Sequence, residues 1–371
     1  MIRRTLILIS TLLLLALCSA FAQTDSQDPP DMSSLMGDGN FYLLQGDCAL
    51  AQFFFQEALK IDNRNAEAMV GKGKALACQG AFSLAITEFQ AAIDFNNDNV
   101  SAYVQLALAY EDQFLNDPGR YPNRLNDALS TLETAEQIAP ESAEVLNTKG
   151  VIHYQLGDLE NAKDSLERAA VLALSTDSDL SGPEKSTVTV NLGKAYRDLG
   201  ELELALQTFR RAVVLDPASA SAHNNLGNIY FRLGECNQAE YELGQAVTLN
   251  SNSLSAISQL AIALFECGRV EDSIPQFERA LQLDGAVFTP PLYTYLSRGY
   301  MQQGRFDEAV RRAQQGALLP PESADAFYYL GKAYQARANA GDVDAARRAY
   351  ERALELNPNF SDAQQALSSL P

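Results

Sequence analysis

The sequence has no tryptophan and only two histidines, His153 and His223, in 371 residues. So few imidazoles leave little room for histidine-based acid–base catalysis or a histidine-rich metal site. Basic residues are also scarce, 28 against 47 acidic ones for a net charge of −19. A surface of that sign repels nucleic acid and anionic lipid. No long low-complexity tract occurs, so the chain reads as folded rather than disordered, and its 47% hydrophobic content can bury a core. An apolar run long enough to span a bilayer is missing as well. The stretch from Leu6 to Leu17 falls short of the ~20 residues a helix needs to cross. With Arg3 and Arg4 before it and Ala20 and Ala22 after it, that stretch predicts a secretory signal over 1–22 that is cleaved before Gln23. Lipid attachment at Cys18 does not fit, because Leu17 precedes it where a small residue is needed. Residues 23–31 form a polar linker, and the expectation is an exported protein, periplasmic or extracellular, with no membrane insertion after cleavage.

What the chain has in abundance is repetition. Aligning Gly46, Gly80, Gly157, Gly200, Gly234, Gly268, Gly304 and Gly341 places the flanking residues in one 34-residue frame, with each glycine at position fifteen. Position eight is small in every repeat, as in Gly39, Gly73, Gly193, Ser297 and Gly331. Position twenty-seven is alanine except at Gly316, and position twenty-four is usually large, as in Phe55, Phe89, Phe209, Phe277 and Tyr350. Apolar spacings of three, four and seven predict two amphipathic helices per repeat, the glycine supplying the turn between them.

This frame, and above all "NLGKAYRDLGELELALQTFRRAVVLDP", resembles the tetratricopeptide repeat family. The resemblance covers nine repeats: 32–65, 66–99, 100–142, 143–176, 186–219, 220–253, 254–287, 290–323 and 324–360, followed by a C-terminal cap over 361–371. It implies an all-α, right-handed superhelical solenoid. Three insertions interrupt the frame, "NDPGRYPNR", "DSDLSGPEK" and "ARANAGDVD", and all are expected in exposed loops. Pro275 and the "GAVFTPP" stretch predict a bend between repeats seven and eight.

The resemblance also implies a site. In this family the first helices line the concave surface, which positions two, five, nine, twelve and thirteen usually face. Asn224 and Asn228 fall in that set, with Asn191 and Asn225 at the adjoining position six. An amide both donates and accepts, so it can hold a peptide backbone without reading its side chains. Lys194, Arg197, Arg232, Arg298 and Lys332 gather cations on the later repeats, and Phe231 and Phe265 would offer apolar pockets. Together they predict a groove for an extended peptide segment, acidic or C-terminal. The lysines of the family's two-carboxylate clamp are missing, which argues against a chaperone tail.

Four cysteines remain after signal removal and allow three pairings. Cys48 and Cys236 start second helices, while Cys78 and Cys267 end the first helices of the following repeats. In the stacked array that the resemblance implies, these ends are neighbours, so Cys48 pairs with Cys78 and Cys236 with Cys267.

Nothing in the sequence suggests a catalytic group, a cofactor or a metal. Both histidines occupy inward-facing slots of the frame. "DSDLSG" resembles the start of a calcium loop, but Val188 stands where a bidentate glutamate is required. The reading is a non-catalytic scaffold for protein–protein interaction in the cell envelope. The second reading is a regulatory or assembly subunit of an envelope enzyme, and a hydrolase with an unrecognised site ranks below both.

Overall fold

A computed structural model of the chain describes residues 31–283 and 290–371. The signal over 1–22, nearly all of the 23–31 linker and most of the "GAVFTPP" joint therefore lie outside the described residues. Among those residues there are nineteen helices and no strand. Contacts gather them into two compact bodies, one ending at Pro140 and the other beginning at Glu141.

The N-terminal body holds α1 (Met32–Leu44), α2 (Cys48–Ile61), α3 (Ala66–Cys78), α4 (Phe82–Phe95), α5 (Val100–Asn116) and α6 (Arg124–Ile138). The C-terminal body opens with α7 (Ala143–Gln155), α8 (Leu159–Ala173), α9 (Gly182–Asp198), α10 (Leu202–Leu215), α11 (Ala220–Arg232) and α12 (Cys236–Leu249). It continues with α13 (Leu254–Glu266), α14 (Val270–Ala280), α15 (Pro290–Gln302), α16 (Phe306–Ala317), α17 (Ala324–Arg337) and α18 (Asp342–Leu356). A short α19 (Ser361–Ser368) packs on α18. Odd-numbered helices through α17 are first helices of the repeats, and each packs on the even-numbered helix that follows.

Local chemistry sets these boundaries. Asp31, Asn65, Asn99, Ser142, Ser219, Ser253 and Ser323 each accept a backbone N–H from three residues on at the start of a first helix. Such a cap supplies an otherwise unpaired N–H with an acceptor and is worth about 1 kcal/mol. The eight frame glycines take φ between +72° and +84°, a region that closes the turn and that side chains with a Cβ avoid.

The insertions differ in detail from the sequence reading. "DSDLSGPEK" is not all loop: Ser181 donates its backbone N–H to the Glu184 carboxylate at 2.8 Å and starts α9, so GPEK is helical. The ninth repeat's turn shrinks to residues 338–341, because α17 runs to Arg337 and Asp342 begins α18 with Arg337 bound to its carboxylate at 2.7 Å. Pro275 lies inside α14, a helix of 11 residues that ends at Ala280, earlier in its repeat than the 14-residue α10 and α12.

Small residues at position eight exist to admit the large residue at position twenty-four. A Cβ on Gly193 would lie 2.5 Å from the Phe209 ring, and one on Gly73 or Gly331 would lie 2.4 Å from Phe89 or Tyr350. At Ser297 the hydroxyl is accommodated by donating to the Ala309 carbonyl at 2.9 Å. Two further contacts of this kind matter. Gly71 at position six faces Phe55 of the preceding repeat, 2.3 Å from a built Cβ, and Gly316 faces Tyr293 Cβ at 2.8 Å. Gly244 contrasts with all of these, since a Cβ there meets nothing within 4 Å. Gly193→Ala is therefore expected to destabilise by about 1–3 kcal/mol through overpacking. Gly244→Ala should instead stabilise by roughly 0.5–1 kcal/mol through helix propensity. Urea unfolding of the two variants beside the parent checks both signs.

Candidate functional site

In the C-terminal body each first helix touches the first helix of the next repeat, from α7 to α17, so their outward positions form one continuous surface. The residues predicted to bind ligand lie on it, but many already have partners across the repeat joints. Asn191 donates to Asn147 at 3.0 Å, and Asn228 donates to Gln259 at 2.9 Å. Asn225 is buried, donates to the Ser221 carbonyl at 2.8 Å and accepts from Arg197 at 3.2 Å. These amides stitch neighbouring repeats before they can serve a ligand. Asn224 is different: its amide oxygen is buried with no hydrogen-bond partner among the described residues.

The cations divide in the same way. Arg197 binds Asp198 at 2.7 Å and Tyr154 at 3.2 Å, while the Tyr154 hydroxyl also donates to Asp198. The Arg197 guanidinium holds the Asp198 carboxyl below the usual carboxylate range, outweighing burial. Arg298 binds Glu266 at 3.2 Å. Lys194, Arg232 and Lys332 form no hydrogen bond or ion pair among the described residues, and of the three only Lys194 is half-buried. Burial, then the charge of Arg197, lowers the pKa of its ammonium.

Phe265 corrects the sequence reading. It is only 4% exposed: it belongs to the core cluster, meets Phe277 and Tyr295 edge-on, and has the Arg298 guanidinium 4.6 Å from its ring centroid. Arg298 also sits 4.9 Å from the Tyr295 ring and 5.3 Å from the Tyr329 ring, and Tyr295 stacks on Phe277 with centroids 5.6 Å apart. Phe231 is partly buried against the core.

Position six was the slot the sequence reading undervalued. Asn191, Asn225, Gln259, Tyr295 and Tyr329 all occupy it, and each touches the repeat before its own. Large polar or aromatic residues recur there in five consecutive repeats, a signal available from the aligned frame.

The cysteines meet as the frame implied. Cys48 and Cys78 have Cα atoms 5.9 Å apart in the N-terminal body, and Cys236 and Cys267 have the same separation in the C-terminal body. That separation is within reach of a bridge. His223 has both ring nitrogens engaged, with Glu242 at 2.6 Å and the Pro217 carbonyl at 3.1 Å, and His153 lies 3.4 Å from Asp158. The described residues contain no group of three or more His, Cys, Asp or Glu placed to hold a metal, and no helix long and apolar enough to cross a membrane.

Family models described as TPR repeat or tetratricopeptide repeat match residues 73–113, 143–173, 193–234, 220–253, 296–337 and 325–359. Among solved structures, human IFIT1 as a dimer with PPP-AAAA is 17% identical, covering 90% of this chain and 81% of that one at a TM-score of 0.59. A monomeric IFIT1 mutant with Gppp-AAAA is 16% identical, with coverage of 94% and 82% and a TM-score of 0.61. Pseudomonas aeruginosa pilF is 18% identical, with coverage of 62% and 98% and a TM-score of 0.52. At these identities the likeness is one of fold.

Proposed function

Because the chain belongs to the tetratricopeptide repeat family, whose fold is typically non-catalytic and serves protein interaction, we propose that it is an exported scaffold whose C-terminal body binds an extended, carboxylate-bearing peptide along its first helices. The observation that carries this reading is Lys194, a half-buried ammonium that forms no hydrogen bond or ion pair among the described residues and feels the Asp198 carboxylate only through space. Burying an unpaired charge is costly, and a ligand carboxylate would supply the missing partner. Asn224 lies on the same face of the first helices, with an amide oxygen that has no hydrogen-bond partner among the described residues. Arg232 extends the positive strip by one repeat. Export rests on the leader sequence and agrees with two cysteine pairs held at bridging distance.

The reading is tested by fluorescence anisotropy with a labelled peptide ending in free Asp-Asp-Glu and with its amidated Asn-Asn-Gln counterpart. The acidic peptide should bind more tightly, with an affinity that falls as salt rises. Lys194→Met should weaken it by about tenfold, the scale of one charge-assisted hydrogen bond. Equal binding of both peptides, or a Lys194→Met Arg232→Met double variant that binds like the parent, would overturn the proposal.

A further inference from the structure

At the start of the N-terminal body, α1 leaves open the face that every later first helix buries. In the second repeat that face is Ala68, Gly71 and Ala75 at positions three, six and ten, which pack against Phe54, Phe55 and Ala58 of α2. Positions three and ten are buried in all eight later repeats, from Ala68 and Ala75 to Ala326 and Ala333. The first repeat has Ser34, Gly37 and Phe41 in those slots, and no helix precedes α1 among the described residues. Phe41 touches the Tyr42 ring edge-on and is still 55% exposed, and Leu44, one turn farther along the same stripe, is 86% exposed. The C-terminal end of the chain is finished differently. There α19 packs on α18, and its exposed residues, Ser361, Asp362, Gln364, Gln365 and Ser368, are all polar, as the outer face of a terminal repeat needs to be for solubility.

From this contrast we infer that the open face of α1 is closed by a second copy of the same chain, α1 against α1 about a two-fold axis. Ser34, Gly37, Phe41 and Leu44 are spaced by three, four and three residues, so they lie on one side of the helix and the spacing reads the same in both directions. In an antiparallel pair Phe41 therefore meets Gly37 of the second copy and Leu44 meets Ser34, large against small, and the two-fold makes each contact twice. A Cβ built on Gly37 meets nothing within 4 Å, so the notch is open. The first repeat joint shows that such a notch takes a ring: Gly71, also at position six, lies against Phe55 of the repeat before it with no room for a Cβ. Charge favours the same occupant. The exposed residues of α1 are Ser33, Ser34, Gly37, Asn40, Phe41 and Leu44, none of them charged, whereas the chain as a whole carries −19 and repels its own copies elsewhere. A partner of opposite charge finds nothing on this face to select it. Two helices of 13 residues make a small interface, so the dimer should dissociate readily, with a Kd on the order of 10 μM.

Analytical ultracentrifugation of the chain from about 1 to 300 μM should show a monomer–dimer equilibrium and no larger species, because an isologous face closes on itself. Phe41→Glu should leave a monomer throughout that range. Val214→Glu, which adds the same charge at a residue 78% exposed in α10, should associate like the parent. Gly37→Leu separates a shaped notch from general stickiness, since the folded monomer has room for the side chain. By filling the notch it should raise the dissociation constant at least about tenfold, whereas apolar surface of no fixed shape would associate more tightly with a leucine added. Circular dichroism checks that each variant keeps parental helicity. The inference falls if the parent stays monomeric to the top of the range, the result expected were the face covered by residues ahead of α1 or by a different protein. It falls equally if Phe41→Glu of parental helicity still dimerises, if Gly37→Leu dimerises as well as the parent, or if the parent forms species larger than a dimer. None of these substitutions lies on the first helices of the C-terminal body, so peptide binding there stands or falls separately.

Discussion

Replacing Phe209 with alanine should lower the stability of the C-terminal body by about 3–5 kcal/mol, the range for removing a fully buried phenylalanine. Phe209 is 0% exposed in α10 and packs in one cluster with Leu206, Leu226, Ile229 and Tyr230, with Gly193 opposite its ring. The cavity would open between two repeats, and because a repeat array is held by nearest-neighbour contacts, the loss should appear first as local opening of α9 to α11. Hydrogen exchange should therefore accelerate across 182–232 before the terminal repeats respond. Phe209→Leu should be milder, within roughly 1.5 kcal/mol, because Leu166 and Leu243 fill the same slot opposite Gly150 and Gly227. A Phe209→Ala variant unfolding within about 1 kcal/mol of the parent would show that the ring is not the knob described here.

The second large effect concerns the cysteine pairs. If both are bridged in the exported protein, each closes a loop with a sequence separation of 30 or 31 residues. Chain-entropy considerations then assign roughly 3–4 kcal/mol to each bridge. Reductant should lower the urea midpoint of the parent, and a Cys236→Ser Cys267→Ser variant should lose about the same amount and then respond less to reductant. Alkylation followed by mass spectrometry should find no free thiol in protein recovered from an oxidising compartment. Four alkylated cysteines there would remove the bridges from this account and weaken the case for export.

The helical frame could be read before any coordinate because each rule recurs in every repeat. A small residue at position eight, a large one at twenty-four and a glycine at fifteen act through contacts within one helix pair, and the pair's geometry follows from its own sequence. The Ser181–Glu184 start of α9 is also written in the chain, as a serine followed three residues later by a glutamate, within the stretch that interrupts the repeat frame. The surface was harder, because it depends on how consecutive repeats meet. A polar residue such as Asn225 can face a ligand or reach the repeat before it, and only the 3.2 Å approach of Arg197 decides between them. Phe265 is hard to read for the same reason, since its burial depends on Tyr295 and Arg298 of the next repeat packing against it.

The close contacts made by glycine also bear on how such a chain can change in evolution. Gly316 and Tyr293 belong to one repeat, so the constraint between them is inherited whole whenever that repeat is copied or lost. Gly71 and Phe55 lie on opposite sides of a repeat boundary, so the second repeat fits behind the first by virtue of a missing side chain. Crossing-over that moved the first repeat in front of an alanine or asparagine at that position would force a side chain into the Phe55 ring. The order of the repeats is therefore partly fixed by sterics, and viable duplications should begin and end where no glycine is matched across the seam.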